Sequence, residues 1–206
     1  MTDLGPISYY LGMTVTRNRK LKTITIQQRS YLKRVLQTFH YWDNEHDKAL
    51  LNPVKTPIDE KDQHLEPFDG QASKDDIKIY QSQVGSLIYT MIETRPDLAF
   101  AISQVSQFSH NPGPRHFTAI KRIFRYIAGT LDYGITYGGN HQDLTIAGYS
   151  DASYGDSVIN RRSSSGYIFM LNGGPITWSS KRQTTVALST TESEYISLTQ
   201  AAKEAL

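Results

Sequence analysis

The stretch TTVALSTTESEYISLTQAAKEAL, residues 184–206, changes character halfway along, and the fold turns on that change. A strand-like VAL gives way to Ser189, Thr190 and Thr191, hydroxyl residues that cap helices by accepting an unpaired first-turn N–H. Ser189-x-x-Glu192 is a capping-box pattern, in which the acid reaches back to the cap, and Thr191-x-x-Glu194 fits the same pattern. At 3.6 residues per turn, positions 194, 198, 201 and 205 share a face that carries Leu198, Ala201 and Ala205. Glu194 is therefore expected in line with an apolar seam and Glu192 on the other side. A carboxylate in a seam needs a cation, a metal or a hydrogen-bond partner. The alternative is a first-turn acid favoured by the helix dipole and still reaching water.

Working back from this helix, short β-type runs are expected at 134–137, 144–150, 166–171 and 175–179. The run IAGYSDASYGD, 146–156, puts Asp151 just past one of them. An acid at a strand end and a second on the helix after a three-strand meander make a candidate pair for Mg²⁺, which prefers carboxylate and water oxygens. An Asx turn closing the strand explains Asp151 equally well.

The first part reads as mainly helical after a β-hairpin of strands at 9–16 and 22–28. Helices are expected over 28–40, 77–92, from TRPD to about 108, and 114–129. Thr94 or its neighbour would cap the third, with Pro96 in its first turn, where a missing N–H is harmless. Tyr31 and Tyr80 fall on apolar stripes and are assigned to the core. Residues 52–71, rich in Pro and acids, form an extended connector. Gly138, Gly139 and Asn140 mark the seam with the sheet-forming second part. The fold class is α+β, divided at 1–130 and 131–206.

Two hundred and six residues suffice for a core. No apolar run spans a bilayer and no secretion signal opens the chain, so no membrane partner is expected. The absence of cysteine excludes disulfides and thiolate zinc sites and suits a reducing, intracellular compartment, cytoplasm or nucleus. None of the histidines, His141 included, pairs with another at helical spacing, so no zinc helix is indicated. Net charge is only +2, yet Arg17, Arg19, Lys20, Lys22, Arg29, Lys33 and Arg34 follow one another with no acid among them, while acids dominate 43–76.

GYSDASYGD, then RRSSSGYIFMLNGGPITWSSKRQTTVALSTTESEY, closely resembles the ribonuclease H region of copia-type LTR retrotransposon polyproteins. DLGPISYYLGMTV, QRSYLKRVL, TPI at 56–58, YQSQVGSLIYTMIETRPDLAFAIS and HFTAIKRIFRYIAGTLDYGI resemble the preceding end of the reverse transcriptase: last part of the palm, thumb and connection. The resemblance implies an RNase H-like mixed sheet whose first three strands are antiparallel neighbours, and Mg²⁺-dependent hydrolysis of RNA in an RNA–DNA hybrid. It makes Asp151 the first catalytic and metal-binding aspartate and Glu194 the helix glutamate, leaving Glu192 as the capping acid. It also implies further acids from later strands, which would follow Leu206, so the metal cage is expected to be incomplete in this chain. The Tyr-x-Asp-Asp polymerase turn is absent from the sequence, so this chain is not expected to polymerise. An RNA–DNA hybrid or template–primer is the implied partner. Lys121, Arg122 and Arg125 on one basic helix, and Arg161 and Arg162 beside Ser163–Ser165, are the candidate phosphate contacts; solvated faces would read the same way. A nucleic-acid-binding fragment without catalysis and an inactive relic are the rival readings.

Overall fold

The computed structural model describes residues 5–139 and 144–206; Asn140 and His141 lie outside them. Four helices build the main core: α1 (Arg29–Thr38), α2 (Lys74–Glu93), α3 (Ala99–Ser106) and α4 (Pro114–Gly129). Their stripes meet at Leu32, Leu36, Tyr80, Leu87, Ile102, Ile120, Phe124 and Ile127, all essentially inaccessible to solvent. α2 begins where Ser73 Oγ accepts the Asp76 N–H at 3.0 Å, with Asp75 and Asp76 in the turn where the dipole favours acids. The Tyr80 hydroxyl, deep in this core, donates to the Val105 carbonyl at 2.8 Å. α4 keeps the bounds read from the sequence, because Pro114 suits a first helical position and Gly129 a last. Its cap is made by His116, whose Nδ1 accepts the Gly113 N–H at 2.8 Å.

The TRPD segment departs from expectation. Thr94 closes α2 as its C-cap instead, buried and donating to Gln28 Oε1 at 2.8 Å, and its neighbour Arg95 takes the N-cap position of the next turn without a side-chain cap bond. A 3-10 turn, Pro96–Leu98, precedes α3, and Pro96 does open it. α3 ends at Ser106 rather than near Phe108.

Nine strands form three antiparallel sheets among the described residues. β1 (Tyr9–Tyr10), β2 (Met13–Asn18), β3 (Thr23–Gln27) and β6 (Gly134–Gly138) lie side by side in the order β1-β2-β3-β6. The single strand expected over 9–16 is broken at Leu11 and Gly12, both with positive φ. β4 (Trp42–Asp43) and β5 (Lys48–Ala49), a small hairpin, were not foreseen; Asp43 supports its turn by accepting the Glu45 N–H at 3.0 Å. The connector carries one 3-10 turn, Glu60–Asp62. β6 pairs Ile135 with Ile26 and so completes the hairpin sheet, which makes the change of sheet fall after Gly138.

The last sheet is a meander of β7 (Ala147–Ser153), β8 (Ser164–Leu171) and β9 (Gly174–Arg182), with α5 (Thr190–Ala205) packed on β7 and β8. Its other face meets the helical core. Trp178 Nε1 donates to the Met91 carbonyl at 3.0 Å, Arg182 donates to Gln107, and the Tyr137 hydroxyl donates to the Pro175 carbonyl at 2.6 Å. The molecule is α+β, and none of its described helices is long and apolar enough to cross a membrane.

Candidate metal-binding and nucleic-acid-contacting residues

Side chains alternate across a strand, and the register of the meander places each residue on one of two faces. Trp178, bonded to α2, and Thr177, whose hydroxyl donates to Glu204 of α5 at 2.7 Å, identify them. Asp151 pairs with Gly166, which pairs with Ser180. Asp151 therefore stands on the Trp178 face, with Tyr149 and Ser153. It lies inside β7 rather than past its end, because the ladder continues through Ser153 opposite Ser164. Here it borders a cavity of about 460 Å³ that Pro96, Ala99, Phe100 and Trp178 also line.

α5 sits differently from expectation. Its buried positions are Ser193, Ser197 and Ala201, spaced by four. Leu198, placed in the seam by sequence, is half exposed, and Ala205 is exposed. The helix is rotated by about one residue, roughly 100°, because small hydroxyl residues let it approach the sheet and find partners there. Ser197 Oγ donates to the Asp151 carbonyl at 2.7 Å, while Ser193 Oγ turns back on its own helix, to the Thr190 carbonyl at 2.6 Å. Gln183, wholly buried, ties the corner by donating to Ser165 Oγ at 2.8 Å and the Ser193 carbonyl at 2.9 Å.

Glu194 consequently lies beside the seam, exposed, in a second cleft with Ser150, Thr190, Thr191, Tyr195 and Leu198. Glu192 has the capping role: Ser189 Oγ accepts its N–H at 3.1 Å, and its carboxylate accepts the Leu188 N–H at 2.6 Å. Asp151 and Glu194 thus line two neighbouring cavities that share Ser150. Among the described residues no group of three His, Cys, Asp or Glu side chains is placed to hold a metal. Two carboxylates alone do not fit a two-metal Mg²⁺ site, which needs several acids converging on ions about 4 Å apart, and no step through metal is derived.

The candidate phosphate contacts divide in the same way. Arg122 donates to Thr56 Oγ1 at 3.0 Å and pairs with Asp59 at 3.2 Å. Arg125 donates to the Asn52 carbonyl at 2.7 Å. Both clamp the connector onto α4, while Lys121 stays exposed in a cleft it shares with Asp59 and Asp62. Arg161, exposed with φ 56°, closes a loop in which its N–H donates to Ser157 at 2.9 Å and the Ser157 N–H donates to the Arg162 carbonyl at 3.1 Å. Arg162 is half-buried.

Sequence reasoning missed Arg95, the largest fully buried side chain. Its guanidinium grips Asp97 (Nε–Oδ1 2.9 Å, Nη2–Oδ2 2.8 Å) and donates to the Thr130 carbonyl at 3.0 Å and Thr130 Oγ1 at 2.8 Å. Tyr126 and Tyr133 rings flank it at 5.5 and 5.4 Å. The Tyr126 hydroxyl donates to Asp97 at 2.9 Å. Burial, and then the Asp97 charge, push that phenol up to about 12. This clasp holds the TRPD turn, and with it Pro96 at the edge of the cavity bordered by Asp151. The signal was available in R-x-D at 95–97.

Over 208 residues and 99% of its length the chain is 40% identical to the retrovirus-related Pol polyprotein from transposon TNT 1-94 of Nicotiana tabacum, of which it spans 15%. It is 49% identical over 62% of its length to secreted RxLR effector protein 161 of Plasmopara viticola, spanning 89% of that protein. It is 32% identical over 99% of its length to an uncharacterized mitochondrial protein of Arabidopsis thaliana, spanning 79% of it. No family model matches the chain, and no solved structure matches it.

Proposed function

The chain belongs to the retrovirus-related Pol polyproteins of copia-type retrotransposons, and from that premise we propose that it is the template-handling segment between polymerase and nuclease. Residues 1–130 would be the end of the palm, thumb and connection, and residues 131–206 the first half of an RNase H-like domain. By itself it binds an RNA–DNA hybrid without hydrolysing it. The reading rests on one observation: among the described residues no third acid joins Asp151 and Glu194, the acids that the resemblance assigns to Mg²⁺, which line neighbouring cavities that share Ser150.

The chemistry open to these residues is positional. Ser197, bonded to the Asp151 carbonyl, fixes the height of α5 on the sheet and with it the distance between the two acids. The Arg95 clasp fixes the turn facing Asp151. Magnesium, once bound by a complete set of acids, would supply charge for phosphodiester hydrolysis.

The test is an end-labelled RNA–DNA hybrid incubated with the chain in Mg²⁺, alongside Asp151→Asn. The expected result is a salt-sensitive complex and intact RNA with both proteins. RNA cleavage by the wild type that disappears in Asp151→Asn would overturn the non-hydrolytic reading. Absence of a hybrid complex from a folded chain would overturn the binding reading.

A further inference from the structure

We infer that the turn of the β2–β3 hairpin is the principal phosphate-gripping surface of this chain, in place of the basic helix α4. The inference rests on the nucleic-acid-binding reading above and names the surface that does the binding. No acid occurs between Asp3 and Asp43 in sequence, and within that interval Arg17, Arg19, Lys20 and Lys22 crowd one turn. All four are exposed. Among the described residues none of them is in an ion pair, whereas Arg29 is paired with Asp132, Lys33 with Asp47, Arg95 with Asp97 and Arg122 with Asp59. Those four cations are tied to acids of the fold, whereas the four at the hairpin turn stand together and remain available to a partner.

They are also held in place. Asn18 Oδ1 accepts the N–H groups of Lys20 and Leu21, each at 3.0 Å, which fixes the turn. Lys22 adopts φ 54°, and its carbonyl accepts the Gly139 N–H at 3.2 Å, tying the turn to the end of β6. β3 is flanked by β2 and β6 along its whole length. Arg17, Arg19 and Lys22 converge on one cleft of about 320 Å³ with Thr23 and Ile24. Fixed cations around a small cleft, two of them guanidiniums able to fork onto phosphate oxygens, suit a sugar–phosphate backbone. Contacts to phosphate position a duplex without reading its sequence.

The experiment measures affinity for a fluorescently labelled RNA–DNA hybrid against KCl concentration. It compares the wild type with a variant carrying Arg17→Gln, Arg19→Gln, Lys20→Gln and Lys22→Asn, asparagine being chosen because it tolerates the left-handed backbone. Each lost phosphate contact lowers the slope of log K on log salt by about 0.9. The expected result is a slope smaller by about 3.6 and binding at least roughly 100-fold weaker near 0.1 M salt. Arg19→Gln with Lys20→Gln alone, at exposed turn positions, is expected to lose about half of that slope change.

Wild-type slope in both variants, with the wild type binding, would overturn the inference and leave the binding reading standing. Tighter binding of the same residues to phosphatidylserine vesicles than to the hybrid would also overturn it. No hybrid binding by the wild type would overturn the inference together with the reading beneath it.

Discussion

The helical part and the last sheet bury different chemistry. From Leu32 to Leu131 the hydrophobic cluster is built mainly of large side chains, with Tyr80, Phe124 and several Leu and Ile in mutual contact, and buried polar groups such as Arg95 and His116 sit at its margins with partners of their own. Beyond residue 144 the buried hydrophobic residues, among those described, are Ala187 and Ala201, and the buried polar residues are Ser157, Ser163, Ser164, Ser165, Gln183, Ser193 and Ser197. Meanwhile Tyr149, Leu188 and Tyr195 are more than 60% exposed. Burial of a large apolar side chain contributes about 1.5–3 kcal/mol, whereas an internal hydrogen bond contributes a net of about 1. The first part is therefore stable through its own core. The second holds its geometry through hydroxyl bonds and through its contact with the first.

The largest break in this comparison is expected from Phe124→Ala. The ring is fully buried against Phe39 and Tyr41, with centroids at 5.6 and 5.1 Å. Its removal should cost about 3–5 kcal/mol in urea unfolding followed by Trp42 fluorescence. Because the last sheet leans on this core, Trp178 fluorescence, read in a Trp42→Phe background, should lose its transition at the same or lower urea. A Trp178 transition unmoved by Phe124→Ala would show that the sheet stands independently.

Ser197→Ala is the matching change in the second part. It removes the bond to the Asp151 carbonyl and should cost about 1 kcal/mol, read mainly by Trp178. An equal shift in both reporters would mean that the two parts unfold as one unit.

The contrast between the parts follows from what a sequence makes visible. α4 was legible to the residue because Pro114, Gly129 and a stripe of Phe117, Ile120, Phe124 and Ile127 all point the same way. α5 was legible as a helix but not in its rotation, since Leu198 looks like a core residue and Ser193 and Ser197 do not. Ser197 finds its acceptor, the Asp151 carbonyl, only in the folded sheet, and the Ser193 carbonyl is met by Gln183 only at the folded corner. Asp151 reads as a strand terminator until Gly166 is seen opposite it. Arg122 and Arg125 read as a free basic face because their partners, Asp59 and the Asn52 carbonyl, lie in a connector more than 60 residues upstream. β6 was legible as a β-type run but not in its pairing, because its partner β3 lies more than 100 residues upstream.

Acid should act on the first part selectively. His116 is buried against Phe108, with ring centroids 4.0 Å apart. Its Nδ1 accepts the Gly113 N–H, so its Nε2 carries the proton and donates to the Glu66 carbonyl at 2.9 Å. Burial holds its pKa below the ordinary 6.5. The folded state thus binds fewer protons than the unfolded one. Its contribution is complete above pH 6.5 and is lost as pH falls from there through the lowered folded value. Urea midpoints read by Trp42 should decline across that window in the wild type, and less steeply in His116→Gln. Identical slopes would remove His116 from the account.

The smallest effects concern the two acids of α5, and their order separates capping from metal binding. Glu192→Ala deletes the acceptor for the Leu188 N–H and should cost about 0.5–1 kcal/mol, while Glu194→Ala, at an exposed position without a hydrogen bond in its cleft, should stay within about 0.5 kcal/mol. Adding Mg²⁺ should leave both differences unchanged, because among the described residues no third acid joins Glu194 and Asp151. A midpoint that rises with Mg²⁺ in the wild type and not in Glu194→Ala would mean that the ion draws the two carboxylates together. Since the Ser197 bond sets the height of α5 above Asp151, Ser197→Ala should then alter the Mg²⁺ response as well, and the hydroxyl seam would be acting on the metal site through the position of the helix.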